Sequence, residues 1–210
     1  MIKCNVTVCG KIVSSAEEKT SKEGNKFMAF AIVVPIQGRD QTINEVHINV
    51  AAAIDPEKMG EYTTGRRVTV AGTMYCHKKN EVVYNNLRAE KPIEINESTM
   101  PDRIDGTMEF RGKISKKGVE DRKSKKGNDF QTFSAFSSDK DGEKREFTWV
   151  DFTNFSPIHA DYMKAETYVE VTGTLQLDVY KSALQHRCLV KTVSPWDIAK
   201  QQDTPQPPTQ

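Results

Sequence analysis

The chain has 210 residues, with 30 Lys and Arg against 29 Asp and Glu, four Cys and 37% hydrophobic residues, the make-up of one or two ordinary folded domains. That composition excludes a collagen-like chain, and a net charge of +1 excludes a uniformly basic, histone-like binder. Affinity for a polyanion must come from charge gathered in one place.

From the N-terminus, Met1 to Val8 alternate polar and apolar residues without an apolar run of signal-peptide length, which predicts an intracellular protein. The longest apolar stretch, residues 27–36, is about half a membrane span and contains Pro35, so neither a transmembrane helix nor a membrane partner is expected. Cys4, Cys9, Cys76 and Cys188 form no CxxC pair and have no partners at zinc-site spacing; they read as buried reduced thiols, with no metal and no cofactor.

The sequence repeats itself at an offset of 101 to 103 residues. Gly10-Lys11-Ile12 returns as Gly112-Lys113-Ile114. Lys22-Glu23-Gly24-Asn25-Lys26-Phe27 returns as Lys125-Lys126-Gly127-Asn128-Asp129-Phe130, each followed by a second Phe (Phe30, Phe133), and Val68-Thr69-Val70-Ala71-Gly72-Thr73 returns as Val169-Glu170-Val171-Thr172-Gly173-Thr174. A period of that size is a whole domain, too long for a solenoid unit.

Within each copy the hydrophobic period is close to two, the mark of half-buried strands. Predicted strands cover residues 3–13, 26–34, 43–53, 66–76 and 82–95 in the first copy, and 106–115, 128–138, 144–153, 167–177 and 183–193 in the second. A polar, proline-containing stretch separates the third and fourth strands in both (Pro56, Pro157). The pattern predicts an all-β chain of two tandem five-stranded OB-fold barrels, each with a short helix between strands three and four. An SH3-like barrel matches the strand count but not that helix. The expected domains are residues 1–97 and 104–197, joined by a polar linker containing Pro101 and followed by a disordered tail over 198–210.

Strand three of the second copy runs Glu146-Phe147-Thr148-Trp149-Val150-Asp151-Phe152-Thr153, and alternation divides it into two faces. Thr148, Val150 and Phe152 face the core. Phe147 and Trp149 face outward beside Asp151, either as packing under a loop or at an interface, or as a platform on which bases stack. In the first copy, matching Glu45 to Glu146 sets Val46 against Phe147, whereas period-two burial sends Val46, Ile48 and Val50 inward and leaves His47 and Asn49 outside; a one-residue slip exchanges the faces. Either way the first copy lacks the aromatic pair, and His47 is its candidate for stacking or hydrogen bonding.

Charge is concentrated after strand one of the second copy. Between Glu109 and Lys126 stand Arg111, Lys113, Lys116, Lys117, Arg122, Lys123, Lys125 and Lys126 against Glu109, Glu120 and Asp121, a local excess of five positive charges. Such a loop either attracts phosphate or merely keeps the chain soluble. The loop between strands four and five mixes Tyr with Lys: Tyr75, Lys78 and Lys79 in the first copy, Tyr180 and Lys181 in the second. These suit a finger that tracks a backbone and stacks on bases, or plain hairpin packing. His47, His77, His159 and His186 fall in different elements, and neither a nucleophile signature nor a phosphate-binding Gly loop is present, so no enzyme is predicted.

In order, Gly-Lys-Ile on strand one, Gly-Asn-x-Phe-x-x-Phe on strand two, Glu146-Phe147-x-Trp149-Val150-x-Phe152 on strand three and Val-x-Val-x-Gly-Thr on strand four resemble the bacterial single-stranded DNA-binding proteins, once per copy over residues 1–197. The resemblance implies sequence-tolerant protection of single strands in DNA replication, repair or recombination, in the cytoplasm with the nucleoid, and a homodimer that supplies four OB-folds. It gives Phe147 the base-stacking role; the first copy departs, with Val46 after its Glu. The family's acidic tip with a terminal Phe is absent from Pro207-Pro208-Thr209-Gln210, so the resemblance does not extend to tail-mediated recruitment of replication partners. The runners-up are a structural or protein-interaction module and an RNA binder.

Overall fold

Alternating burial is realised as eleven strands in a computed structural model, which describes residues 1–38, 41–79, 82–96, 101–141, 144–180 and 183–197. They are β1 (Ile2–Thr20), β2 (Lys26–Gln37), β3 (Ile43–Ala52), β4 (Arg67–Lys79), β5 (Val82–Ala89), β6 (Glu94–Asn96), β7 (Arg103–Lys123), β8 (Asp129–Asp141), β9 (Lys144–Asn154), β10 (Tyr168–Tyr180) and β11 (Ala183–Pro195). The described chain is nearly all β. In the first half β1 pairs with β2 and β4, β2 with β3, β3 in parallel with β5, and β5 with β4, so the strands return on themselves. β7 to β11 follow the same circuit.

The repeated motifs mark the places where this circuit is tightest. Ser21 to Asn25 and Ser124 to Asn128 form the same turn: the Asn25 and Asn128 amides donate to Ser21 Oγ (3.1 Å) and Ser124 Oγ (3.0 Å), with Gly24 and Gly127 at φ +85° and +83°, a region open to glycine at little cost. Gly72 and Gly173 answer a different need. A Cβ there would lie 2.0 Å from the Arg88 carbonyl oxygen and 2.1 Å from that of Leu189.

Inward-facing residues of both halves form one continuous core, and all four cysteines are buried within it or at its edge. Within its second-half part Phe110 and Phe133 both pack on Phe152, with ring centroids 5.0 Å apart for Phe110–Phe152 and 4.8 Å for Phe133–Phe152. The halves also share main-chain pairing. β1 and β7 run antiparallel from Ile2 opposite Phe110 to Cys9 opposite Arg103, with Asn5 opposite Thr107. At an offset of 102, Asn5 faces its own counterpart, and a pseudo-twofold axis passes between them.

Three expectations change. The short helix is a three-residue 3-10 turn at Met59–Glu61 in the first half and a series of turns in the second. So short a segment cannot repay helix nucleation, and the second is held in place instead by buried Gln131, which accepts from the Ile158 amide (2.8 Å) and donates to the Ile158 carbonyl (3.3 Å) and to Asp121 (2.9 Å). The basic loop is mostly strand: β7 continues to Lys123 through an irregularity between Ile114 and Val119, where Gly118 takes φ +75°, and pairs with β8 up to the Ser124 turn. The fifth strand of the first copy divides into β5 and β6 around Pro92, which lacks the amide a continuous ladder needs. Linker residues 97–100 and the tail, 198–210, lie outside the described residues.

His186, inside the second circuit, is buried, its Nε2 has no partner among the described residues, and burial holds its imidazole at about 4, against 6.5 in its ordinary state. Because the native chain refuses a proton that the unfolded chain accepts, stability should fall as pH drops from about 6.5 towards 4, by about 2–3 kcal/mol at pH 4.5. Register places Asn85 at the matching position of the first half, where it donates to the His47 carbonyl (3.2 Å). Urea unfolding of His186→Asn should show that much less acid sensitivity than the parent chain; equal slopes with pH would remove His186 as the cause.

Candidate nucleic-acid interface

β9 presents Thr148, Val150 and Phe152 to the core and leaves Phe147 and Trp149 43% and 52% exposed on the outer face. Antiparallel pairing sets Phe136 of β8 opposite Trp149, on that same face. Its ring centroid lies 5.2 Å from Phe147 and 5.0 Å from Trp149, so three aromatics brace one another while two remain open to solvent. Phe136 was legible by extending the alternation of β8 outward from Phe133, three residues away and on the opposite face.

Along the same face towards the β7–β8 hairpin, Ser134 lies opposite Asp151 and Thr132 opposite Thr153. A second aromatic pair follows, Phe130 with the exposed Phe155, centroids 5.9 Å apart. From Trp149 to Phe155 is about 20 Å at strand rise. The stretch between them is a polar groove of about 380 Å³ lined by Lys117, Arg122, Thr132, Ser134, Asp151 and Arg187.

The structure divides the basic residues expected to act together. Lys117 and Arg122 border the groove, and Lys125 and Lys126 are exposed in the turn preceding β8. Arg122 is paired with Glu120 (2.5 Å), whose carboxyl it holds below its ordinary value by hydrogen bonding, and Lys123 with Asp129 (3.6 Å). Lys113 reaches away to Glu166 (3.4 Å) and lies over the Tyr168 ring. Lys116, Lys117, Lys125 and Lys126 have no ion pair among the described residues. Towards the other end of the face, His186 is level with Val150, and Tyr180 at the end of β10 pairs with Ala183 at the start of β11. Lys181 lies outside the described residues.

In the first half, Phe30 pairs with Val50 as Phe133 pairs with Phe152, which fixes the offset on strand three at 102. Glu45 therefore matches Phe147 rather than Glu146, Val46 is buried, and exposed His47 takes the place of Trp149. Val33, opposite His47, replaces Phe136. The first-half face thus carries Glu45, 3.9 Å from His47, where the second carries two rings. Phe27 of β2 keeps the place of Phe130, and further aromatics lie on β4 and β5: His77 stacks on Tyr84 at 5.5 Å, exposed Tyr75 shares the outer surface, and Lys78 and Lys79 end β4 beside them. The His77–Tyr84 stack has no sequence signal beyond a cross-strand pairing that the hairpin register creates.

In fold the chain is similar, over its whole length, to single-stranded DNA-binding proteins. The wild-type protein of that kind from Thermus aquaticus is 14% identical, with 100% of this chain and 96% of that one covered and a TM-score of 0.46. The Plasmodium falciparum SSB in complex with ssDNA is 18% identical over 44% of this chain and 95% of its own, at a TM-score of 0.35. The mitochondrial single-stranded DNA-binding protein Rim1 of S. cerevisiae is 19% identical over 46% of this chain and 98% of its own, at 0.31. No family model and no curated protein sequence matches the chain.

Proposed function

We propose that the chain is a non-enzymatic, sequence-tolerant binder of single-stranded DNA, built as two tandem OB-folds over residues 1–97 and 104–197, with the second as the stronger site. The observation that carries this reading is the exposure of Phe147 and Trp149 on the outer face of β9 while Phe136 holds both rings from the side. Exposed rings fixed in this way add nothing to the core and present a flat apolar surface at no further ordering cost, the property base stacking requires. Lysines of the β7–β8 hairpin that have no ion pair among the described residues supply phosphate neutralisation beside it. Protection of single strands in replication, repair or recombination, in the cytoplasm, is the role this binding suits, with two chains supplying four OB-folds.

Trp149→Ala and Phe147→Ala should each weaken binding of a fluorescent thymine oligonucleotide by about 1–3 kcal/mol with little change in thermal unfolding. Unchanged affinity, or a large loss of stability, would make the rings packing or protein-interface residues; equal affinity for a uracil RNA strand would widen the ligand to RNA.

Changing Lys116, Lys117, Lys125 and Lys126 to Gln should lower affinity and reduce the log–log salt slope by about two if about three of them contact phosphate. A slope that stays put means the hairpin only solubilises the chain.

Light scattering without DNA should report about twice the 23.7 kDa chain mass. A monomer would remove the homodimer and leave the binding site untouched.

A further inference from the structure

Resting on the single-strand reading above, we propose that Asp151 and Arg187 form a base-reading position whose preferred ligand is a guanine in single-stranded DNA. Parallel pairing of β9 with β11 sets Asp151 level with Arg187, and both line the polar groove between the Trp149 and Phe155 aromatic sites. In the first half the corresponding pair is Asn49 and Asn86, level with one another and joined by an amide hydrogen bond of 3.0 Å. Hydrogen-bonding side chains thus recur at an outward position where core packing has no use for them.

Both second-half residues are steadied by neighbours that leave capacity for a ligand. Ser134 donates to Asp151 Oδ1 (2.6 Å), and an ionised carboxylate accepts about four hydrogen bonds in all. Arg187 Nη1 is held by Asp178 Oδ2 of neighbouring β10 (3.0 Å), and the side chain, which lines the groove, is still about a third exposed.

The carboxylate decides what passes over it. A phosphate is repelled by Asp151 and by Glu120, which lines the same groove and pairs with Arg122, and is drawn to Lys117 on the margin, so the group facing Asp151 is a base edge that donates. Thymine offers one ring N–H between two carbonyls, which the carboxylate repels. Cytosine and adenine offer an exocyclic amine beside a ring acceptor. Guanine alone places a ring N–H next to an amino group, two donors side by side that match a carboxylate, and its O6 and N7 accept from an arginine.

The test is fluorescence anisotropy with thymine 12-mers carrying no substitution, one central guanine, or one central inosine, which lacks the 2-amino group. The guanine strand should bind about tenfold more tightly than the all-thymine strand, with inosine losing most of that gain. In Asp151→Asn, checked for folding by its thermal transition, the guanine advantage should shrink to about twofold or less. Equal binding of the guanine and all-thymine strands by the parent chain overturns the proposal, as does a guanine preference that survives intact in Asp151→Asn. Failure of every 12-mer to bind overturns the single-strand reading, and this one with it.

Discussion

β1 is too long for any one partner, and the rest of the architecture depends on how its edges are filled. Ile2 to Lys11 pair with β4 and Lys11 to Thr20 with β2, which leaves the second edge of the first eight paired positions without a partner inside the first half. Backbone amides and carbonyls on a buried strand must be satisfied, and an open edge invites aggregation. β7 takes that edge, while its own later residues serve β10 and β8. Both circuits are therefore filled from the inside and bonded to each other, and functional side chains are left to the outward faces of the strands.

What the sequence revealed of this was what period two and turn chemistry determine. Strand positions, the Ser-Lys-x-Gly-Asn turns and the outward placement of Phe147 and Trp149 follow from alternation and from two glycines at positive φ. Register was harder. Glu45 and Glu146 invite an alignment that the pairing of Phe30 with Val50 and Phe133 with Phe152 rejects, because hairpin geometry rather than residue identity sets which positions correspond. Phe136 escaped because its significance lies across the strand, opposite Trp149, and the paired states of Arg122, Lys123 and Lys113 escaped because charge counting along a chain cannot see cross-strand partners.

The two halves use one frame for different surfaces. Where β8 and β9 carry Phe136, Phe147 and Trp149, β2 and β3 carry Val33, Glu45 and His47. A carboxylate at the ring position both removes a stacking partner and disfavours a polyanion. The first half keeps Phe27 on β2 and adds Tyr75, His77 and Tyr84 on β4 and β5, so its rings are spread over more of the frame.

The seam between β1 and β7 has an ancestry-like asymmetry of its own. Were two second halves to meet through β7 alone, Thr107 would face Thr107, and the same spacing would set Asp105 against Glu109 and Arg103 against Arg111, like charges directly opposed. The seam as built places Lys3 3.9 Å from Glu109 and gives Asp105 a neutral neighbour, Thr7. Because the two paired edges differ in sequence, this seam is free of the self-complementarity that a symmetric dimer imposes on every residue at its axis. A second half paired with its own copy along this edge would therefore set like charges against one another at both ends of the seam.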